Sequence, residues 1–374
     1  MHKVLQLVTQ TALIGALFIS TANAADLTWG GFGSAFYGQA LTSGLLPFGL
    51  TNTSKPNFTD YSLFGLNFNA KIDDHWSAGA QLVALGDKTA AVNTTNSTFN
   101  VQAAWAAVTY KTDAGTAVKA GRQRFPIFTA SEFVYEHNEL PYREIPTIVF
   151  QMASFVAFDG FSVSQSLDSG IGKFNVQAFG GTPVLAVIPP TSGTPQLSNL
   201  LGVRLNLEGD GWRVRAQASR SSSASVNAAG NLLASADSQY FSVGYRYDKN
   251  DIVSWGEFLY RAAPDGTVQN LANGQHQYLG NGKAGYVLVG YRFGNWLPRY
   301  TFAQAKADLG TVGEGQSTTH TIGVNYAFSP KVTFKGEYEL TLVPLAGSGY
   351  KVTQPAGTDA TSGSAIYAGL DFQM

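Results

Sequence analysis

The chain contains no cysteine, which excludes disulfide frameworks and thiolate metal sites. It is also poor in charge: Asp, Glu, Lys and Arg make up 13% of it, about half the ~25% usual in soluble domains. A net charge of −1 and the lack of any basic tract give nucleic acid nothing to grip. Long hydrophobic runs are missing as well. After residue 24 no apolar stretch reaches the roughly 20 residues that a spanning helix needs. Histidines are scarce, and His75, His137, His276 and His320 stand in no His-x-x-x-His or similar metal spacing. Each reads most simply as a solvated loop or turn residue, so neither a metal nor a cofactor is implied. A hydrolytic site needs a nucleophile or activated water beside a base. His137, beside Glu136 and Glu139, is the one place to look for it.

What is present points elsewhere. Lys3, the apolar run Ala12–Ile19 and the Ala22-Asn23-Ala24 cleavage pattern follow the order of a Sec signal peptide. Residues 1–24 are therefore expected to be a leader, with a single barrel domain over 25–374. Aromatics reach 13% and there are 41 glycines. In a membrane barrel apolar residues are separated one by one by polar ones, so an exported chain can be rich in rings without showing a hydrophobic run.

The period along the chain is two. Trp212, Val214, Ala216 and Ala218 alternate with Arg213, Arg215, Gln217 and Ser219. Phe241, Val243, Tyr245 and Tyr247 alternate with Ser242, Gly244 and Arg246, and comparable runs cover 321–328 and 332–340. Such alternation means strands with one apolar face. Seven short turns are legible, at 73–75, 113–115, 168–170, 209–211, 248–250, 294–295 and 329–330. Between them lie longer loops, near 41–59, 87–98, 127–153, 182–198, 222–238, 263–281, 309–317 and 343–361. Short periplasmic turns opposite long outer loops are the asymmetry of outer-membrane barrels. The expected fold is an all-β transmembrane antiparallel β-barrel of about 16 strands, each of about 9 to 13 residues. Trp76, Trp212 and Trp296 just after turns, with Tyr110, Tyr247, Phe293 and Phe328 just before them, would form an interfacial ring. A soluble sandwich would turn its apolar faces inward and need covered edges.

A lysine or arginine facing lipid at the midplane costs roughly 2–4 kcal/mol, so the charged face must line the lumen. That assigns Arg204, Arg213, Arg215 and Arg246 to a basic wall, with Glu257, Arg292, Lys335, Glu337 and Glu339 also inward. At the C-terminus Asp371 faces inward between Leu370 and Phe372. Gly65, Gly79, Gly202, Gly244, Gly290 and Gly323 fall on lumen parity and suggest open space.

The third long loop, after Pro126, is unusually apolar, with Phe128, Phe133, Leu140, Tyr142, Ile145, Ile148 and Phe150. A long apolar loop has to bury that surface, and the lumen is the available place. Its charges, Glu132, Glu136, Glu139, Arg143 and Glu144, would then face the basic wall across the channel and set up a transverse field at a constriction. The alternative places this loop over the mouth or against a neighbouring subunit.

Ala120-Gly121-Arg122-Gln123-Arg124-Phe125-Pro126 resembles the strand end before the constriction loop of Gram-negative general porins. Tyr326–Val332, followed by Lys335-Gly336-Glu337-Tyr338, resembles the penultimate hairpin of that superfamily. The last strand is similar to its barrel-assembly signal, although Met374 stands where an aromatic normally ends it. The resemblance implies a homotrimer of barrels in the Gram-negative outer membrane, in contact with its lipid. It also implies that Arg122 and Arg124 join the basic wall. The function expected is passive diffusion of small hydrophilic solutes and ions. Alternatives are a substrate-selective, anion-preferring channel, a barrel hydrolase, and an adhesin with a plugged lumen.

Overall fold

The computed structural model describes residues 26–41, 58–59, 62–86, 99–153, 155–185, 194–226, 232–263, 268–270, 276–278, 281–308, 314–342 and 362–374. The expected leader lies outside them. The strands are β1 (Asp26–Ala40), β2 (Leu63–Lys71), β3 (Trp76–Leu85), β4 (Asn100–Lys111), β5 (Thr116–Arg124), β6 (Phe155–Ser169), β7 (Gly172–Leu185), β8 (Thr194–Gly209) and β9 (Trp212–Val226). There follow β10 (Leu232–Lys249), β11 (Ile252–Ala262), β12 (Val268–Asn270), β13 (His276–Tyr278), β14 (Gly282–Tyr291), β15 (Trp296–Asp308), β16 (Glu314–Ser329), β17 (Val332–Leu342) and β18 (Ser362–Gln373). β12 and β13 form a separate small hairpin, and the other sixteen close into one antiparallel barrel through the β1–β18 pairing. Closure removes the exposed sheet edges that an open sheet would leave.

Every short turn falls at its expected place within two residues, for instance Asp210–Gly211 and Pro330–Lys331. Gly211 and Gly294 take positive φ there (75° and 58°), a backbone region open to glycine without steric cost. Strand length departs from expectation: β10 runs 18 residues. The Ser/Ala-rich segment 221–226 reads as loop because it has no apolar face, yet it stays paired with 232–238. A ladder that rises above the membrane has water on both faces, so its backbone pairs without needing alternation.

The outer face is apolar, with Val203, Val243, Val287, Val289, Tyr300 and Ile322 all exposed. At the short-turn end Trp76 stacks on Tyr110 at 4.9 Å, Tyr291 on Phe293 at 4.7 Å, and Trp296 on Tyr326 at 4.6 Å. The aromatic band is thus built from cross-strand and same-face neighbours, the basic unit of sheet stabilisation.

Candidate functional site

The loop after β5, residues 125–153, lies inside the barrel. Phe125 and Pro126 end the ladder and turn the chain inward, and short 3-10 turns at Ser131–Phe133 and His137–Glu139 compact it. Ile127, Phe128, Val149 and Met152 are essentially inaccessible, as are Leu259, Tyr286 and Leu288 of the facing wall. Together with Trp255, Leu297 and Ala303 they form one continuous apolar core between the loop and β11–β15. Fully burying a side chain of this size contributes about 1.5–3 kcal/mol. Several such burials outweigh any single ion pair, so apolar packing is what holds the loop in the lumen.

The charged residues then fix where the loop sits. Glu132 accepts hydrogen bonds from Arg215 at 2.8 Å and from Arg204 and Arg213 at 3.1 Å each. Burial opposes its ionisation, but the Arg215, Arg204 and Arg213 guanidiniums outweigh that and hold its carboxyl down at about 2. The expected channel between loop carboxylate and basic wall is therefore absent at this point: the groups touch. Arg215, nearly inaccessible, also donates to the Phe128 carbonyl and to Asn206.

Further along, Arg124 bonds Gln81 and lies 4.6 Å from the Tyr135 ring centroid. Glu136 accepts from Gln81 at 2.7 Å and from Asn67 at 3.4 Å, and burial raises its pKa against those bonds. Glu139 is exposed, next to Asn138, which donates to the Pro330 carbonyl of the short turn after β16. At the far end Arg143 is inaccessible and meets three carboxylates, Glu144 at 2.7 Å, Glu337 at 3.3 Å and Glu339 at 3.9 Å, with the Tyr367 ring 3.9 Å beneath it. Arg299 completes this cluster at 2.6 Å from Glu337. Glu257 accepts the Thr129 amide N–H. Lys335 pairs with Asp371 at 2.8 Å and donates to the His137 and Tyr142 carbonyls. Arg246 meets Glu208 at 3.0 Å on the inner wall.

Three sequence-based placements change. Arg122 stands on the outer face, paired with Asp159 at 2.7 Å in the row that carries exposed Phe161 and Val163. Gln123, by contrast, is buried on the inner row with Phe158 and Ser162. The pairing of β5 runs unbroken through Gly121, so Arg122 faces outward with Val118 and Ala120 while Lys119 and Gln123 face inward, and the resemblance carried no information on that parity. Arg292 lies in the turn between β14 and β15, bonded to Asp248 at the short-turn rim of the inner wall and not within a strand. The inner glycines are slots filled by neighbours, not open space. The Phe32 ring covers Gly65, Phe179 covers Gly202, and Thr129 of the loop fills the room at Gly244.

Arg299, Glu208 and Lys119 escaped the sequence reading. For Arg299 the alternation with exposed Tyr300 and Phe302 was the available signal, interrupted by Pro298. His137, the one histidine considered for catalysis, meets Ser34 at 3.1 Å, and Ser34 donates to Asp371 at 2.6 Å. The order of contacts is wrong for nucleophile activation, because serine bridges histidine and aspartate where histidine should be the bridge. All three side chains are also inaccessible. Among the described residues no group of His, Asp and Glu is arranged to hold a metal.

A closed antiparallel barrel of sixteen strands is an architecture found in solved structures. OmpF of Salmonella typhi, solved with daunomycin, superposes with a TM-score of 0.61 over 94% of this chain and 99% of its own, at 16% identity. The chain has the porin fold. An anion-selective porin from Comamonas acidovorans gives a TM-score of 0.58 at 14% identity, covering 94% of this chain and 100% of its own. OmpT, an outer membrane protein of Vibrio cholerae in a trimer form, gives 0.59 at 13% identity, with coverage of 94% and 100%. No protein-family model and no curated relative matches the sequence. At these identities the porin fold is what the chain shares with them.

Proposed function

We propose that the protein is an outer-membrane channel through which small hydrophilic solutes and ions pass down their own gradients. The observation that carries this reading is the division of the lumen. The third loop covers the apolar inner wall of β11, β14 and β15 and packs on β1–β4 through Tyr135, while the short-turn end of β1–β5 keeps Thr28, Asn69, Ser77 and Thr109 around a cavity of about 290 Å³. A barrel filled only for stability has no reason to leave part of its inner wall polar and uncovered. The apolar exterior and aromatic band fit insertion in a bilayer, with the short turns on the periplasmic side after removal of residues 1–24. Trimer assembly is part of the reading, since an ion pair on the outer face at Arg122 and Asp159 is better covered by protein than by lipid.

A second reading has its own support: the loop as a plug. Loop residues bond the wall at Ser34, Gln81, Arg215, Glu257, Asn325 and Glu337, all round the barrel. Single-channel recording of the refolded mature chain in a planar bilayer, under a salt gradient, separates the two. Stable open steps, grouped in threes, are expected for the channel, and the sign of the reversal potential gives its ion preference. A folded barrel that never conducts would establish the plug.

A further inference from the structure

The part of the inner wall left uncovered by the third loop carries a cation that opens into free space. Arg204, Arg213 and Arg215 face Glu132, Arg299 faces Glu337, and Lys335 faces Asp371. Lys119 on β5 touches none of these carboxylates, and Glu132 acts on it only at longer range. Its Nζ lies 5.2 Å from the centroid of the Trp105 ring, and among the described residues no carboxylate is within ion-pair distance of it. The pairing of Lys119 with Ser162 puts it on the inner row. Both side chains open into the cavity of about 290 Å³, which also presents the polar groups of Thr28, Asn69 and Thr109. Asp26 and Lys71, paired across β1 and β2, stand at the short-turn end of this cavity, where Lys71 also meets Asp74 at 2.9 Å.

We propose that this cavity is a binding subsite for small organic carboxylates, with the carboxylate on Lys119 and the apolar body against Trp105 and Ala107. The inference rests on the channel reading for its purpose and not for its chemistry. A cation held over an aromatic face is partly desolvated and still lacks an anion, so a carboxylate supplies a charge-assisted hydrogen bond without displacing an existing partner. Amide and hydroxyl groups at the sides favour ligands with further polar atoms. The indole and the alanine give an apolar body somewhere to rest, which a hydrated inorganic anion does not use. A cavity of this size, near the lower end of ordinary ligand sites, fits a molecule as large as benzoate.

The test uses sodium benzoate, with benzyl alcohol as its neutral counterpart, on the full mature protein refolded in detergent. Titration calorimetry reads binding directly. Benzoate is expected to bind, benzyl alcohol to give no saturable heat, and Lys119→Gln to weaken benzoate about tenfold, as loss of one charged hydrogen bond implies. Lys119→Arg should retain most of the binding, and heat-modifiable migration in gels checks that each variant is folded. In bilayers the same benzoate concentrations should reduce the potassium chloride current of the parent and spare that of the glutamine variant. Equal benzoate binding by parent and Lys119→Gln overturns the subsite, as does equal binding of benzyl alcohol. Binding that depends on Lys119 in a barrel that never conducts would instead keep the subsite and overturn the channel.

Discussion

The two charged grips of the third loop are near mirror images with opposite sign. At one end a single carboxylate, Glu132, meets three wall arginines. At the other a single guanidinium, Arg143, meets three carboxylates, two of them on β17. They differ in solvent access: the Glu132 side chain is 35% exposed and that of Arg143 is 3% exposed. A grip open to water can exchange a lost partner for solvent, whereas a closed one leaves an uncompensated charge. The Arg143 end therefore acts as a structural bolt, and the Glu132 end stays near enough to solvent to influence passing ions.

The sharpest way to break this comparison is Arg143→Ala. It strands Glu144, Glu337 and Glu339 together beside Arg299, and a loss of about 3–5 kcal/mol is expected, as for breaking a buried pair. Denaturant unfolding of the refolded barrel measures it, and a loss below that seen at Glu132 would reverse the ranking. Glu132→Gln should cost less, on the order of 1–2 kcal/mol, because the amide oxygen still accepts from the arginines at a position that water reaches. Its larger effect is on selectivity: the wall gains uncompensated positive charge, and the reversal potential should move toward anion preference.

Acid should separate the same groups by pH. Glu132 is held below its ordinary value of 4.5, at about 2, so its contribution is fully present above pH 4.5 and is lost as pH falls through about 2. Glu136 is shifted the other way by burial, so its charge disappears first, above pH 4.5, and its protonation favours the packed loop. Channel recording from pH 7 down to 2 is expected to show a selectivity change from Glu136 well before the current noise of a released loop. The smallest effect on the monomer is expected outside the lumen. Arg122→Ala removes a pair whose side chains are 35% and 50% exposed, which at such exposure contributes about 0–1 kcal/mol. Barrel stability should hardly change, while the trimer fraction on native gels should fall if that face is covered by another copy.

Much of this was legible in the residues. Each of the seven turns could be placed because Gly, Asp and Asn at a hairpin end act through local backbone geometry. The inward direction of Arg213, Arg215, Glu257 and Glu337 followed from strand parity, and parity is strict while a strand stays regular. Arg122 shows the limit of resemblance: a motif could not say which face the side chain takes, whereas the regular pairing of β5 puts it outward. The inner glycines show another. Glycine at lumen parity was read as space, but a residue without a side chain invites the neighbouring ring, and only the cross-strand partner says which ring arrives.

By itself the sequence determined the alternation, the turns, the apolar exterior and the need of residues 127–153 to bury apolar surface, because each depends on local geometry or on transfer from water. The tertiary structure decided which wall that loop covers, which charges touch, and that Lys119 stands before Trp105 without a carboxylate. Those facts depend on distances between strands remote in the chain, and no local pattern encodes them.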